Sequence, residues 1–293
     1  VGGKRFRLLY EIAAITAAAG ACLLRSEYEK NCLVTEEYVI TSPKLKGREK
    51  TFVFLTDLHD KEFGKDNQRL LEAVRAVRPD AVLSGGDMIV AKGKRKLSAS
   101  LSLFEALAKE FPVYCGNGNH ELRMKKQKDI YGDAYESYTK ALRSFGVHIF
   151  SDEGVRIAED LILYGVDLAE RHYRPGTPKM EHIYLKHALG GVDSEPFSIL
   201  LAHSPVFFEE YAAWGADLTL SGHFHGGTIR LPFLGGLMTP QYQFFYPRCG
   251  GIFTGKNGKK MIVGRGLGTH SVNVRLNNKP QVIVVRLKSK NNI

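Results

Sequence analysis

The residues most able to do chemistry in this chain stand in five short clusters. They are Asp57-Leu58-His59, Gly86-Asp87, Gly118-Asn119-His120-Glu121, a lone His203, and Gly222-His223-Phe224-His225. Carboxylate oxygen and imidazole nitrogen are metal donors, and imidazole suits zinc, iron and manganese. A mixed set of Asp, His and Asn suits a transition-metal pair better than calcium. In an extended segment residues i and i+2 share a face. Asp57 and His59 are therefore expected to approach one ion together, and so are His223 and His225. One carboxylate can bridge two ions, and Asp87, which follows the second strand-like run, is the expected bridge. Two ions roughly 3.5–4 Å apart clamp a phosphoryl group and supply a hydroxide nucleophile. Such a site needs no serine nucleophile, in keeping with the absence of a G-x-S-x-G elbow.

Each cluster follows a run of strand formers. Thr51–Leu55, Ala81–Leu83, Phe111–Cys115, Phe197–Ala202 and Leu218–Ser221 are the five runs. Helical spacing of apolar residues separates the first three, over Asn67–Val77 and Ser98–Lys109, and returns over Asp133–Phe145. Val34–Ile40, Val147–Phe150, Ile157–Val166, Lys259–Val263 and Gln281–Leu287 also read as strands. Ala169–Ser194 reads as a short helix with connecting loops, and Gly226–Gly251 as long loops beside a site. The alternation predicts an α/β sandwich. Ligands at the carboxyl ends of successive strands are where open α/β sheets bind them.

These five clusters, in this order and each after a strand, resemble the calcineurin-like metallophosphoesterase superfamily over about residues 51–230. The C-terminal Gly264-Arg-Gly-Leu-Gly-Thr269 and Arg275-Leu-Asn-Asn278 resemble its membrane-associated bacterial branch. The resemblance implies a β-sandwich flanked by helices, a four-layer αββα fold. It implies two divalent or trivalent metal ions (Mn, Fe or Zn). Asp57, His59, Asp87 and His225 would hold one, and Asp87, Asn119, His203 and His223 the other. His120 would stabilise the transition state or protonate the leaving oxygen. One departure stands out: many relatives carry a second Asp three residues after the one in the Gly-Asp block, and here Val90 takes its place.

Other residues carry weaker signals. His148, His172, His182, His187 and His270 read as ordinary core or surface histidines. Gly264–Gly268 is a glycine-rich turn that does not meet the dinucleotide pattern. Tyr242, Phe244, Phe245 and Tyr246 read by default as core packing, with a cleft wall or a lipid-contacting surface as the alternatives. Asp60, Arg123 and Lys125 stand close to the clusters as a candidate acid and two candidate phosphate contacts.

At the N-terminus Lys4, Arg5 and Arg7 precede an apolar stretch, Leu8–Leu24, interrupted by Glu11 and Thr16. This has the form of a signal peptide or signal anchor. The expected organisation is a membrane segment and linker over 1–32 and a metallophosphoesterase domain over 33–293. The charge placement predicts a cell-membrane protein whose catalytic domain is extracytoplasmic. The net charge of +10 favours anionic partners. Basic clusters such as Lys92–Lys96 read first as solvated loops. Four scattered cysteines give no disulfide framework.

The expected activity is hydrolysis of a phosphoester or pyrophosphate bond, with a phospholipid or lipid-linked diphosphate as the preferred substrate. A nuclease or cyclic-nucleotide phosphodiesterase is the alternative enzyme, with nucleic acid the less favoured partner. A metal-binding scaffold without catalysis is the alternative outside enzymes.

Overall fold

The structure is a computed structural model that describes residues 2–93, 96–176, 179–255, 257–269 and 272–290. Lys94, Arg95 and His270 lie outside the described residues. The chain opens with α1 (Gly2–Lys30), β1 (Val34–Ser42), β2 (Lys50–Leu55), α2 (Gln68–Val77), β3 (Ala81–Ser84), α3 (Ser98–Ala108) and β4 (Val113–Cys115). Next come α4 (Asn119–Lys126), α5 (Lys128–Tyr131), α6 (Ala134–Ser144), β5 (His148–Ile149), β6 (Glu153–Ala158), β7 (Leu161–Gly165), α7 (Tyr184–Leu189) and β8 (Phe197–Leu201). The chain closes with α8 (Phe208–Trp214), β9 (Leu218–Ser221), β10 (Arg230–Leu231), β11 (Gly235–Gly236), β12 (Gly251–Thr254), β13 (Lys260–Val263) and β14 (Gln281–Ser289).

Two six-stranded sheets form the body, in the orders β1-β14-β2-β3-β4-β5 and β12-β13-β9-β8-β7-β6. β2 through β5 run parallel, and so do β13, β9, β8 and β7. Their apolar residues are near-continuous because both faces are covered. Phe52 and Phe54 from one sheet meet Ile199, Leu201, Leu220 and Ile262 from the other, and this forms the central core. Val53, Leu55 and Val82 point the opposite way and are covered by Leu70 and Val74 of α2, Phe104 of α3 and Leu142 of α6. Tyr164 and Leu200 are covered by Leu185 of α7 and Tyr211 of α8. The result is the four-layer αββα sandwich. Each buried large side chain contributes about 1.5–3 kcal/mol of transfer free energy.

The structure departs from the sequence reading in a few places. Ile157–Val166 is not one strand: β6 and β7 form an antiparallel hairpin around Glu159 and Asp160. The Asp160 carboxylate accepts from Lys46 N at 2.6 Å and Lys50 Nζ at 2.8 Å, which holds that turn. α4, α8 and β12 were not anticipated.

α1 is long and apolar enough over Phe6–Lys30 to cross a membrane, and its most apolar 18-residue window is not buried. Its last turns nevertheless pack on the body. Ser26 and Glu29 are buried, Ser26 Oγ accepts from Arg275 N at 2.9 Å, and Glu29 Oε2 accepts from Asn278 N at 3.0 Å.

Candidate metal centre

Parallel strands carry the five clusters to one edge. Asp57 follows β2, Asp87 follows β3, Asn119 and His120 open α4 after β4, His203 follows β8 and His223 follows β9. Backbone bonds tie the first two together: Asp57 N donates to Gly86 O at 3.0 Å and His59 N to Asp87 O at 3.1 Å. All seven expected metal-binding residues and His120 are buried.

The convergence is not made by extended backbone, as i, i+2 reasoning assumed. Asp57, His59, Asp87, His223 and His225 all have left-handed backbone, with φ between 48° and 68°. Such angles are uncommon outside glycine and cost energy that the surrounding fold must supply. Each turn points its side chain back across the sheet edge. Close backbone approach requires glycine at several positions, Gly86 and Gly222 among them. A Cβ on Gly86 (φ 90°) would collide with the Gly118 backbone, and one on Gly222 with the Asp57 carboxylate.

Among the described residues, three groups of ligand atoms lie close enough to hold a metal ion: Asp57, His59 and His225; His59, Asp87 and His120; and Asp87, His203 and His223. The donor chemistry fits a cation. His203 Nδ1 lies 2.7 Å from Gly85 O and donates to it, so the lone pair of the neutral ring is on Nε2. That nitrogen faces Asp87 Oδ2 at 3.2 Å. A carboxylate oxygen and a ring nitrogen so placed share a positive charge, which a proton or a metal ion can supply. Asn119 Oδ1 is buried with no hydrogen-bond partner, although it sits at the same edge. His225 Nδ1 lies 3.2 Å from Gly268 O, and its Nε2 is 3.1 Å from His59 Nε2.

The electrostatics agree. Burial would lower the His203 pKa, but the Asp87 and Asp57 carboxylates lift it to about 9. Burial would raise Asp87, yet His203, His120 and His59 hold it well below the usual carboxylate range. Burial pushes Asp57 up to about 6 against the pull of His203. The cluster thus acquires a proton where a cation would serve better, and metal uptake at such a site releases protons.

His120 is set apart. Its Nδ1 accepts the Ala91 N–H at 2.8 Å, and its ring meets His59 edge-on with centroids 5.0 Å apart. Its own N–H donates to Asp87 Oδ1 at 2.8 Å. Burial lowers its pKa, with Asp87 opposing and Arg123 and Lys92 adding to the shift. The backbone next to Val90 therefore orients this ring.

Several residues hold the site in ways the sequence did not indicate: Glu121, Arg275 and Asn278 stand in motifs noted there without an assigned role, and Asp167 and Tyr173 were not marked. The Glu121 carboxylate accepts from Asp87 N and Met88 N at 2.8 Å each and from Gly118 N at 3.0 Å. Arg275 is buried and donates to Asn278 O, Arg265 O, Gly266 O and Gly268 O. Asn278 Nδ2 donates to His225 O at 2.7 Å. Asp167, just past β7, accepts from Asn117 Nδ2 at 2.9 Å. Its place after a strand was a usable signal. Tyr173 packs edge-on against His223 with centroids 5.1 Å apart. No pattern marked Tyr173, Arg275 or Asn278 as neighbours of the cluster, because long loops bring them in.

The remaining expectations divide. Lys125 is engaged by Asp167 at 3.2 Å, and Arg123 Nη1 donates to Ala91 O at 3.3 Å. Asp60 lines a cleft of about 380 Å³ with His59, Lys61, Lys30, Thr269 and Arg275. Burial pushes its carboxyl up to about 6. His148 faces Glu153 at 3.3 Å, His172 packs on Tyr184 and Phe207, and His182 and His187 are exposed. Gly264–Gly268 is a turn whose Gly268 N donates to Asp57 O at 2.7 Å. Of the aromatic cluster only Tyr246 packs inward, on Phe224; Tyr242, Phe244 and Phe245 are exposed, contrary to the core reading.

The chain is similar to known proteins. A family model described as calcineurin-like phosphoesterase matches residues 50–227. An uncharacterised metallophosphoesterase of Aquifex aeolicus is 29% identical over 275 residues, covering 91% of this chain and 96% of that protein. The uncharacterised metallophosphoesterase YkuE of Bacillus subtilis is 28% identical, covering 95% and 93%. The phosphodiesterase YaeI of Escherichia coli is 26% identical, covering 80% and 81%.

Proposed function

This chain belongs to the calcineurin-like phosphoesterase family and is a phosphoester hydrolase, and we propose that it works with two metal ions on a phosphorylated amphiphile at a membrane surface. Asp57, His59, Asp87 and His225 would hold one ion, and Asp87, Asn119, His203 and His223 the other. Mn, Fe or Zn fits this donor set. Ions bound there supply Lewis acidity and lower the pKa of bound water toward neutrality. The observation that carries the reading is the convergence, in one buried site, of ligand atoms from Asp57, His59 and His225 and from Asp87, His203 and His223.

The chain's own residues do the rest. Thr56 Oγ1 and His223 N donate to the Asp57 carboxylate at 2.8 and 3.0 Å, which fixes its orientation. The Ala91 N–H occupies His120 Nδ1, so the proton of the neutral ring is on Nε2. That proton is available to the leaving oxygen as the phosphoester bond breaks. Glu121 holds the backbone of Asp87 and Gly118 in place.

The substrate class rests on α1. Its apolar stretch anchors the chain in a membrane, and Lys4, Arg5 and Arg7 before it favour a cytoplasmic N-terminus with the catalytic body outside. A lipid-linked phosphate in vesicles is the substrate to test. Turnover at least tenfold above that of a soluble nucleotide monoester is expected. Equal turnover of soluble nucleotides without vesicles would remove the lipid preference.

A further inference from the structure

The body does not hang from α1 on a linker. The helix continues unbroken through Lys30, and its docked residues begin at Arg25 and Ser26, immediately after the last apolar residue, Leu24. At about 1.5 Å of rise per residue, a bilayer that holds Leu24 lies within roughly one helical turn of the loop that α1 docks on. Whatever projects from that loop and its neighbours meets the lipid interface.

A hairpin is bonded to that same loop. Arg25 Nη2 donates to Asn277 Oδ1 at 3.4 Å, Asn277 Nδ2 donates to Arg230 O at 3.3 Å, and Arg230 N donates to Leu276 O at 2.9 Å. Arg230 and Leu231 pair with Gly236 and Gly235, which leaves Phe233 and Leu234 at the tip, both exposed. The segment after the hairpin adds Tyr242, Phe244 and Phe245, and Val272 adds a sixth exposed apolar side chain. Tyr242 and Val272 line one narrow groove, whose far wall includes His225.

Phe233, Tyr242 and Phe245 all have left-handed backbone, with φ of 65°, 61° and 52°. Bulky residues seldom adopt it. Here the consequence is three rings turned outward on one loop system. Soluble surfaces rarely gather such a patch, and aromatic rings are favoured at the boundary between lipid and water.

We propose that the 230–245 loop system, with Val272, is a second membrane-contact surface that dips into the lipid interface beside α1 and sets the catalytic edge against the bilayer. The surface rests on the reading of α1 as a membrane helix and not on the metal chemistry. Its occupant is the bilayer into which α1 inserts.

The test uses the full chain in phosphatidylcholine–phosphatidylglycerol vesicles, with Trp214→Phe to remove the native fluorophore. Phe233→Trp reports on the hairpin tip. Val39→Trp, on the exposed face of β1, is the control. Lipids brominated in the acyl chains are expected to quench the tip reporter at least twofold and leave the control unchanged. Flotation with the vesicles but equal quenching of the two reporters overturns the contact surface and spares the anchor. Failure to float with the vesicles overturns the anchor and the surface together. Neither result touches the hydrolytic reading, which metal-dependent turnover of a soluble diester tests separately.

Discussion

Ala91 N–H donates to His120 Nδ1 at 2.8 Å. A carboxylate there would accept a proton from Nδ1, whereas a backbone N–H demands the lone pair. The tautomer that donates from Nε2 is thereby fixed without any charged partner.

His120→Asn is therefore expected to lower kcat by about 10²–10⁴, the usual worth of a positioned proton donor. Metal content should remain that of the parent. Steady-state kinetics with bis-p-nitrophenyl phosphate and elemental analysis give both readings. A fall of less than about threefold would take His120 out of the proton transfer.

Glu121 satisfies three buried N–H groups with one carboxylate. Glu121→Ala leaves all three without partners and is expected to destabilise the fold by about 3–5 kcal/mol. Urea unfolding reads this directly. A change under about 1 kcal/mol would mean that the loops find other acceptors.

Glu29 lies in α1, yet its carboxylate accepts the N–H of Asn278, whose side chain holds His225 O. Glu29→Ala in the full chain should lower Tm and also reduce turnover of a soluble diester, while Glu29→Gln, which keeps an acceptor, should recover most of both. Unchanged turnover in Glu29→Ala would detach the helix from the site.

Asp217 supplies a pH dependence away from the metal cluster. Burial would raise its pKa, but hydrogen bonds from Lys259 Nζ (2.6 Å) and Lys44 Nζ (2.8 Å) outweigh it and depress the value in the folded state. A depressed folded pKa contributes stability that is present above the unfolded value of about 3.9 and is lost as pH falls below it through the folded pKa. Asp217→Asn is expected to cost about 1–3 kcal/mol at neutral pH and to flatten the acid limb of the stability curve. A variant with the parent's acid limb would contradict this.

Much of the site was legible because strand ends can be read locally. Asp57, Asp87, His120, His203 and His223 each follow a short apolar run, and the parallel sheets bring those ends to one edge. The manner of convergence was not legible. Extended backbone was assumed for Asp57–His59 and His223–His225, and the structure turns each through left-handed angles, which Asp and His adopt more readily than most residues but still uncommonly. The motifs containing Glu121, Arg275 and Asn278 were noted, but their supporting roles were not legible, because a polar residue on a helix or loop declares its partner only through tertiary contact. The exposed aromatic rings of 242–245 were read as core by the same default, since hydrophobic type alone does not distinguish core from interface.

The most direct measurement is hydrolysis of bis-p-nitrophenyl phosphate by the full chain with and without Mn²⁺, beside Asp87→Asn, with bound metal quantified in each. The account predicts activity that requires the metal, and an Asp87→Asn chain that loses bound metal and turnover together. Full turnover by metal-free protein, or by Asp87→Asn, would contradict it.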